Sequence, residues 1–329
     1  MPEQEAHGRY GTESELQSYQ IFVPPEDNSN LLGGVHSRRA WRDPTIDASS
    51  FVPTCRHLVS SPLYSKTVER IGGFVSLNYR LSEHPDYPQD PSKVEPNRLR
   101  VARHPDHIND VLMGMSALQQ KYGFGSRYIL VGHSCGATMA LQSVMDLRET
   151  AVCRSSWTPP AAILGVDGIY DLPRLVEKFK GKLEYRESVV HAFGSNDDSW
   201  AGVSPARGTW LDKQLAWGRE GTKLLVLAHS VDDNLVDWSQ VEVMADKVQC
   251  AWGNPIVPRV DADSKETDAG PVDRSGNFAL LDLRSAHHQV WESGWELARA
   301  IAFVLRGLER LEAGQVAFDE DVRFNQLRR

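Results

Sequence analysis

One stretch constrains this chain more than any other. The apolar run Tyr128-Ile129-Leu130-Val131 ends in Gly132-His133-Ser134-Cys135-Gly136, and a helix-like pattern, Ala137-Thr138-Met139-Ala140-Leu141, follows at once. Strand, sharp turn and helix in that order is the setting in which a Gly-x-Ser-x-Gly serine is lifted clear of the backbone. Glycines two before and two after the serine remove side chains that would collide across so tight a turn. The five-residue pattern alone is common. The strand before it and the helix after it give it weight.

Bulk properties narrow the partners. The chain has 329 residues, 41% of them hydrophobic, enough for one large α/β domain with a full core. Its 36 basic and 44 acidic residues leave a net charge of −8. An acidic balance argues against nucleic acid and against an anionic membrane surface. Residues 1–17 are polar, with no apolar segment of the kind a secretory signal needs, and no apolar run reaches the length of a membrane span. Cys55, Cys135, Cys153 and Cys250 are scattered and form no Cys-x-x-Cys pair. Free thiols in a reducing compartment are the expectation, hence a cytoplasmic protein. The sequence allows a homodimer without requiring one.

Short β-branched runs alternate with helical patterns. Strands are expected at residues 18–23, 31–35, 73–79, 128–132, 161–167, 223–229 and 278–283, and helices at 105–122, 137–148, 172–179, 238–249 and 289–306. Such alternation predicts an α/β fold with a mostly parallel central sheet and helices on both faces. Ligands then bind beyond the carboxyl ends of the strands. Residues 84–104 read as a long loop. Residues 253–277 are polar and read as a surface insertion within a single domain spanning 1–329.

A serine hydroxyl becomes a nucleophile only when a base takes its proton, and the base needs an acid to hold its tautomer. The chain supplies both, each just after an apolar run. The acid candidates are Asp233 and, less well placed, its neighbour Asp232. Either one also suits the start of the following helix. The base candidates are His287 and its neighbour His288, between the last strand and the last helix. The developing oxyanion needs two backbone N–H groups. Cys135 offers one. The loop His36-Ser37-Arg38-Arg39-Ala40-Trp41 is the candidate for the other. His104, His107 and Asp110 share a spacing that metal ligands sometimes have, but a charged helix start explains them better. No zinc, phosphate-loop or dinucleotide motif is present, so neither metal nor cofactor is expected.

These residues together resemble the fungal kynurenine formamidase (arylformamidase) branch of the α/β-hydrolase esterase/lipase superfamily, over residues 10–307. The resemblance rests on Ser76-Leu77-Asn78-Tyr79-Arg80-Leu81-Ser82, Arg103-His104-Pro105-Asp106-His107, the Ser134 segment, Gly165-Val166-Asp167-Gly168-Ile169-Tyr170-Asp171, and residues 229–240. It implies an α/β-hydrolase fold and hydrolysis of a small molecule, N-formyl-L-kynurenine, to L-kynurenine and formate. That step belongs to tryptophan breakdown and feeds NAD synthesis. In the implied roles, Ser134 attacks, His287 shuttles the proton, Asp233 orients His287, and Trp41 or Trp291 walls an aromatic slot. One departure stands out. The family loop reads His-Gly-Gly-Ala-Trp, whereas residues 36–41 are one longer and carry no glycine. Two other readings therefore stay open: a general small-ester carboxylesterase on the same fold, and a hydrolase-like protein without catalysis.

Overall fold

A computed structural model describes residues 4–23, 33–37, 41–147, 156–210, 223–252, 259–260 and 277–315. The described strands are β1 (Gln4–Arg9), β2 (Ser18–Val23), β3 (Gly33–Ser37), β4 (Phe74–Leu77), β5 (Tyr128–His133), β6 (Ala162–Val166), β7 (Leu224–Ser230), β8 (Arg259–Val260) and β9 (Phe278–Leu283). They form one sheet in the order β1-β2-β4-β3-β5-β6-β7-β9-β8. The β1–β2 and β2–β4 pairs are antiparallel, and every later pair is parallel. The described helices are α1 (Val52–Ser60), α2 (Ser65–Val68), α3 (Asp106–Tyr122), α4 (Cys135–Gln142), α5 (Leu172–Lys178), α6 (Leu183–Phe193), α7 (Asp197–Val203), α8 (Ser239–Trp252), α9 (Gln289–Glu292) and α10 (Trp295–Glu312).

Parallel strands covered on both faces must be apolar throughout, and the central ones are. Every residue of β5, β6 and β7 is buried. Alternate side chains feed two separate cores. Leu130, Ile163, Leu225 and Leu227 pack with Ile108, Val111 and Met115 of α3 and with Met244 and Val248 of α8. Ile129, Val131, Leu164 and Val226 pack with Leu58 of α1 and with Leu297, Ile301, Val304 and Leu305 of α10. This is the α/β-hydrolase arrangement, with the carboxyl ends of β5, β6, β7 and β9 side by side.

Differences from the sequence expectations have local causes. Strand β1 has no apolar alternation to announce it; it is held by antiparallel pairing to β2, with Gln4 opposite Val23 and Arg9 opposite Ser18. Strand β3 starts and ends two residues later than expected, so His36 and Ser37 belong to the strand and not to a loop after it. The expected helix over 289–306 is two helices, broken at Gly294. That residue has φ 75°, and a Cβ on it would lie 2.4 Å from the Thr54 backbone nitrogen. Helix α4 begins at Cys135, directly after Ser134. Part of the expected insertion, Arg259–Val260, is strand β8, paired in parallel to β9. The rest of 253–276 lies outside the described residues, as do Arg38 and Cys153.

Candidate active site

Ser134 joins the last residue of β5 to the first of α4 and has φ 55°, ψ −121°. A non-glycine residue at positive φ is strained, and such strain collects at functional sites. The turn is held from outside. The Ser134 N–H donates to the Val166 carbonyl at 2.9 Å, and its carbonyl accepts from Ala137 at 3.0 Å. Gly132 permits the closure: a Cβ there would lie 2.2 Å from the Gly136 carbonyl oxygen. The Cys135 N–H stands in the first turn of α4, where amides have no acceptor within the helix and the dipole favours negative charge. The Cys135 thiol faces the Tyr79 hydroxyl at 3.5 Å and the Trp41 amide. Burial pushes it up to about 11, so it is a packed thiol and not a second nucleophile.

Of the paired candidates, Asp233 and His287 meet. His287 Nδ1 lies 2.8 Å from Asp233 Oδ2, and both side chains are almost fully enclosed. Asp232 and His288 are exposed. Asp233 Oδ1 accepts the N–H groups of Leu235 and Val236 at 2.8 and 2.9 Å. Burial opposes its charge. The His287 hydrogen bond and those two amides outweigh burial and hold the carboxyl below its ordinary range. Asn234 Oδ1 accepts the His287 N–H at 3.3 Å, tying the β9–α9 loop to the β7–α8 loop.

Three further groups stand at the same strand ends, and no sequence pattern assigned them roles. His133 Nε2 is 3.0 Å from the His287 carbonyl oxygen, and the two imidazoles lie 4.4 Å apart, centroid to centroid. Ser134 and His287 are thus both immediate neighbours of His133. Asp167, which follows β6, has φ 45° and is wholly buried. Its Oδ1 accepts the Ser230 N–H at 2.7 Å. His229, in β7, sits with Nε2 3.1 Å from the Val236 carbonyl oxygen. The one available signal was positional: Asp167 is a carboxylate directly after an apolar run, just as Asp233 is.

His133, Asp167 and His287 form one group whose ligand-type atoms lie within 4.8 Å of one another, and Asp167, His229 and Asp233 form another. Hydrogen bonds already engage Asp233 on both oxygens, His287 on Nδ1, and His133 and His229 on Nε2. The two groups share Asp167 and form one buried His/Asp cluster at the strand ends.

Other sequence candidates sit elsewhere. His36 and Ser37 lie on β3, where Ser37 pairs in register with Gly132 of β5. Trp41 is buried and meets the Phe193 ring edge-on at 5.0 Å, a core contact. Trp291 lies beside His288, with ring centroids 6.0 Å apart. His107 bonds Ser82 Oγ through Nε2 at 3.1 Å, and Asp110 is taken by Arg80 and Gln17, so this spacing serves the core.

Fold and site together define a hydrolase of the esterase/amidase type on an α/β-hydrolase scaffold. Among solved structures, esterase B of Lactobacillus rhamnosis aligns over 95% of this chain and 89% of its own, with TM-score 0.63 at 12% identity. A Thermogutta terrifontis esterase aligns over 96% and 95%, with TM-score 0.57 at 16% identity. No family model matches the chain. A kynurenine formamidase-like hydrolase of Fusarium equiseti is 34% identical over 282 residues, 84% of this chain and 83% of that protein. A kynurenine formamidase of Aspergillus versicolor is 35% identical over 223 residues, 61% of this chain and 69% of that protein. The chain belongs to this family of kynurenine formamidase-like hydrolases. Among the described residues, no helix is long and apolar enough to cross a membrane.

Proposed function

We propose that the protein hydrolyses the formamide of N-formyl-L-kynurenine, giving L-kynurenine and formate, with Ser134, His287 and Asp233 as nucleophile, base and orienting acid. The reading rests on two observations in a chain of this family: a strained serine at the β5–α4 elbow, and an enclosed His287–Asp233 hydrogen bond at neighbouring strand ends. Ser134 Oγ attacks the formyl carbon while His287 Nε2 takes its proton. The oxyanion of the tetrahedral intermediate meets the Cys135 N–H. Collapse breaks the C–N bond, and His287 returns the proton to the departing aryl amine. Water then attacks the formyl ester on Ser134, giving its proton to His287. Formate leaves, and His287 reprotonates Ser134. Asp233 keeps Nδ1 protonated and offsets the imidazolium charge throughout. No cofactor enters these steps.

The test is turnover of N-formyl-L-kynurenine by purified protein, with Ser134→Ala in parallel. Turnover that falls by about 10⁴-fold or more in the variant is expected. Unchanged turnover would remove Ser134 from the mechanism. Short-chain nitrophenyl esters cleaved far faster than the formamide would make the protein a carboxylesterase instead.

A further inference from the structure

Asp167 is a second carboxyl beside the proposed base. It follows β6, between the strand that carries Ser134 and the strand that leads to Asp233. One of its oxygens lies within 4.8 Å of a ring nitrogen of His287, and the same carboxyl lies equally close to Asp233. Its Oδ1 takes the Ser230 N–H, while Oδ2 is buried with no hydrogen-bond partner among the described residues. The imidazoles around it do not serve it. His133 Nε2 is 3.9 Å from Oδ2 and is committed to the His287 carbonyl. His229 Nε2 faces the Val236 carbonyl and must carry the proton, so Nδ1 presents a lone pair to Asp167 Oδ1 at 3.6 Å. A buried carboxylate with one bare oxygen and a lone pair against the other is poorly stabilised, which favours the neutral acid at Asp167, whereas the hydrogen bonds of Asp233 favour its charge. Burial first and the Asp233 charge second push its carboxyl well above the ordinary range, with the Glu296 charge of α10 adding to them. Tyr170 is a further ionisable neighbour, and the Asp167 charge acts on it.

We propose that Asp167 is a reserve positioning residue for His287: a neutral carboxyl beside an ionised Asp233 that takes over the negative charge when Asp233 is absent. The inference rests on His287 being the base, as proposed above. Removing the Asp233 carboxylate removes one of the forces that keep Asp167 protonated. A proton then leaves Asp167 for solvent, and the resulting carboxylate offsets the imidazolium in place of Asp233.

The experiment compares Asp233→Ala, Asp167→Asn, the double variant and His287→Ala, each checked for folding by near-UV circular dichroism. Turnover of N-formyl-L-kynurenine is measured across pH. Loss of the acid in a serine triad costs about 10⁴-fold. Asp233→Ala is expected to lose only about 10²-fold, and the double variant about 10⁴-fold, more than the product of the two single losses. Turnover of Asp233→Ala climbs with pH as Asp167 ionises, along an extra limb beyond the one any histidine base gives, and the double variant lacks that extra limb. A merely structural role for Asp167 would leave no extra limb. Asp233→Ala as inactive as the double, or with a pH profile of the same shape as the double's, overturns the reserve role. If the double variant fails to fold, the pH profile of Asp233→Ala decides. His287→Ala with wild-type turnover would overturn the base assignment and the reserve role with it. An inactive His287→Ala beside an Asp233→Ala profile without the extra limb overturns the reserve role alone.

Discussion

Two buried polar clusters in this molecule are each built round an aspartate and are wired in opposite ways. Around Asp110 every lone pair has a donor. Its carboxylate accepts from Gln17 Nε2 at 2.8 Å, from the Arg80 backbone at 2.8 Å, and from the Arg80 guanidinium at 2.8 to 3.1 Å. Around Asp167 the accounting fails. Among the described residues one oxygen is bare, the His229 lone pair has no donor, and both Asp167 and Ser134 stand at positive φ. A satisfied cluster rigidifies a fold, whereas an unsatisfied and strained one lowers stability and persists only where the surroundings over-determine it. The Asp110 cluster ties the chain just before β2 and just after β4 to α3, two strands along the sheet from β5. The Asp167 cluster is where the strand ends that bear Ser134 converge.

Substitutions separate the two clusters. The largest effect is expected from His287→Ala, which should lower formamide turnover by about 10⁴-fold or more while leaving the thermal midpoint nearly unchanged. Loss of folding in step with activity would mean that the two clusters do not differ in kind. Asp110→Ala should do the reverse. It strips Arg80 of its enclosed partner and should cost about 3 kcal/mol in urea unfolding, with turnover of the folded fraction preserved. A variant of unchanged stability would show that Glu13 and Asp106, the other acidic partners of Arg80, suffice.

The smallest effect is a slope with pH. His107 is fully buried between the Tyr79 ring and Ser82, and burial pushes its imidazole down to about 3 from an ordinary 6.5. Below pH 6.5 the unfolded chain binds a proton that the folded protein refuses, so stability falls as pH falls through that window. Between pH 6.5 and 5 the loss from this one group is about 2 kcal/mol. His107→Gln, unfolded in urea at both pH values, should lose about that much less than the parent protein. Equal losses would place the acid sensitivity in the Asp167 cluster instead.

Much of the fold was legible because its signals are local. The apolar runs of β5, β6, β7 and β9 read correctly from their neighbours alone, and the elbow at Ser134 could be placed from its two glycines. Strand β1 was missed because it has no apolar alternation of its own and is held by its pairing with β2. The break at Gly294 was also invisible, since a lone glycine in a helical pattern says nothing of the α1 backbone that presses on it. The longer loop between Ser37 and Trp41 was legible as a departure from the family, and its conformation was not.

The sequence by itself determined the α/β class, the serine at its strained turn, and the two acid and two base candidates, because each depends on residues adjacent in the chain. Only the tertiary structure decided that Asp233 and His287 are the pair that meet and that Asp232 and His288 face solvent. It alone revealed that Asp167 stands beside them with one oxygen unclaimed. Side-chain direction at the end of a strand is set by the parallel register of β5, β6, β7 and β9, and that register is a property of strands far apart in the chain.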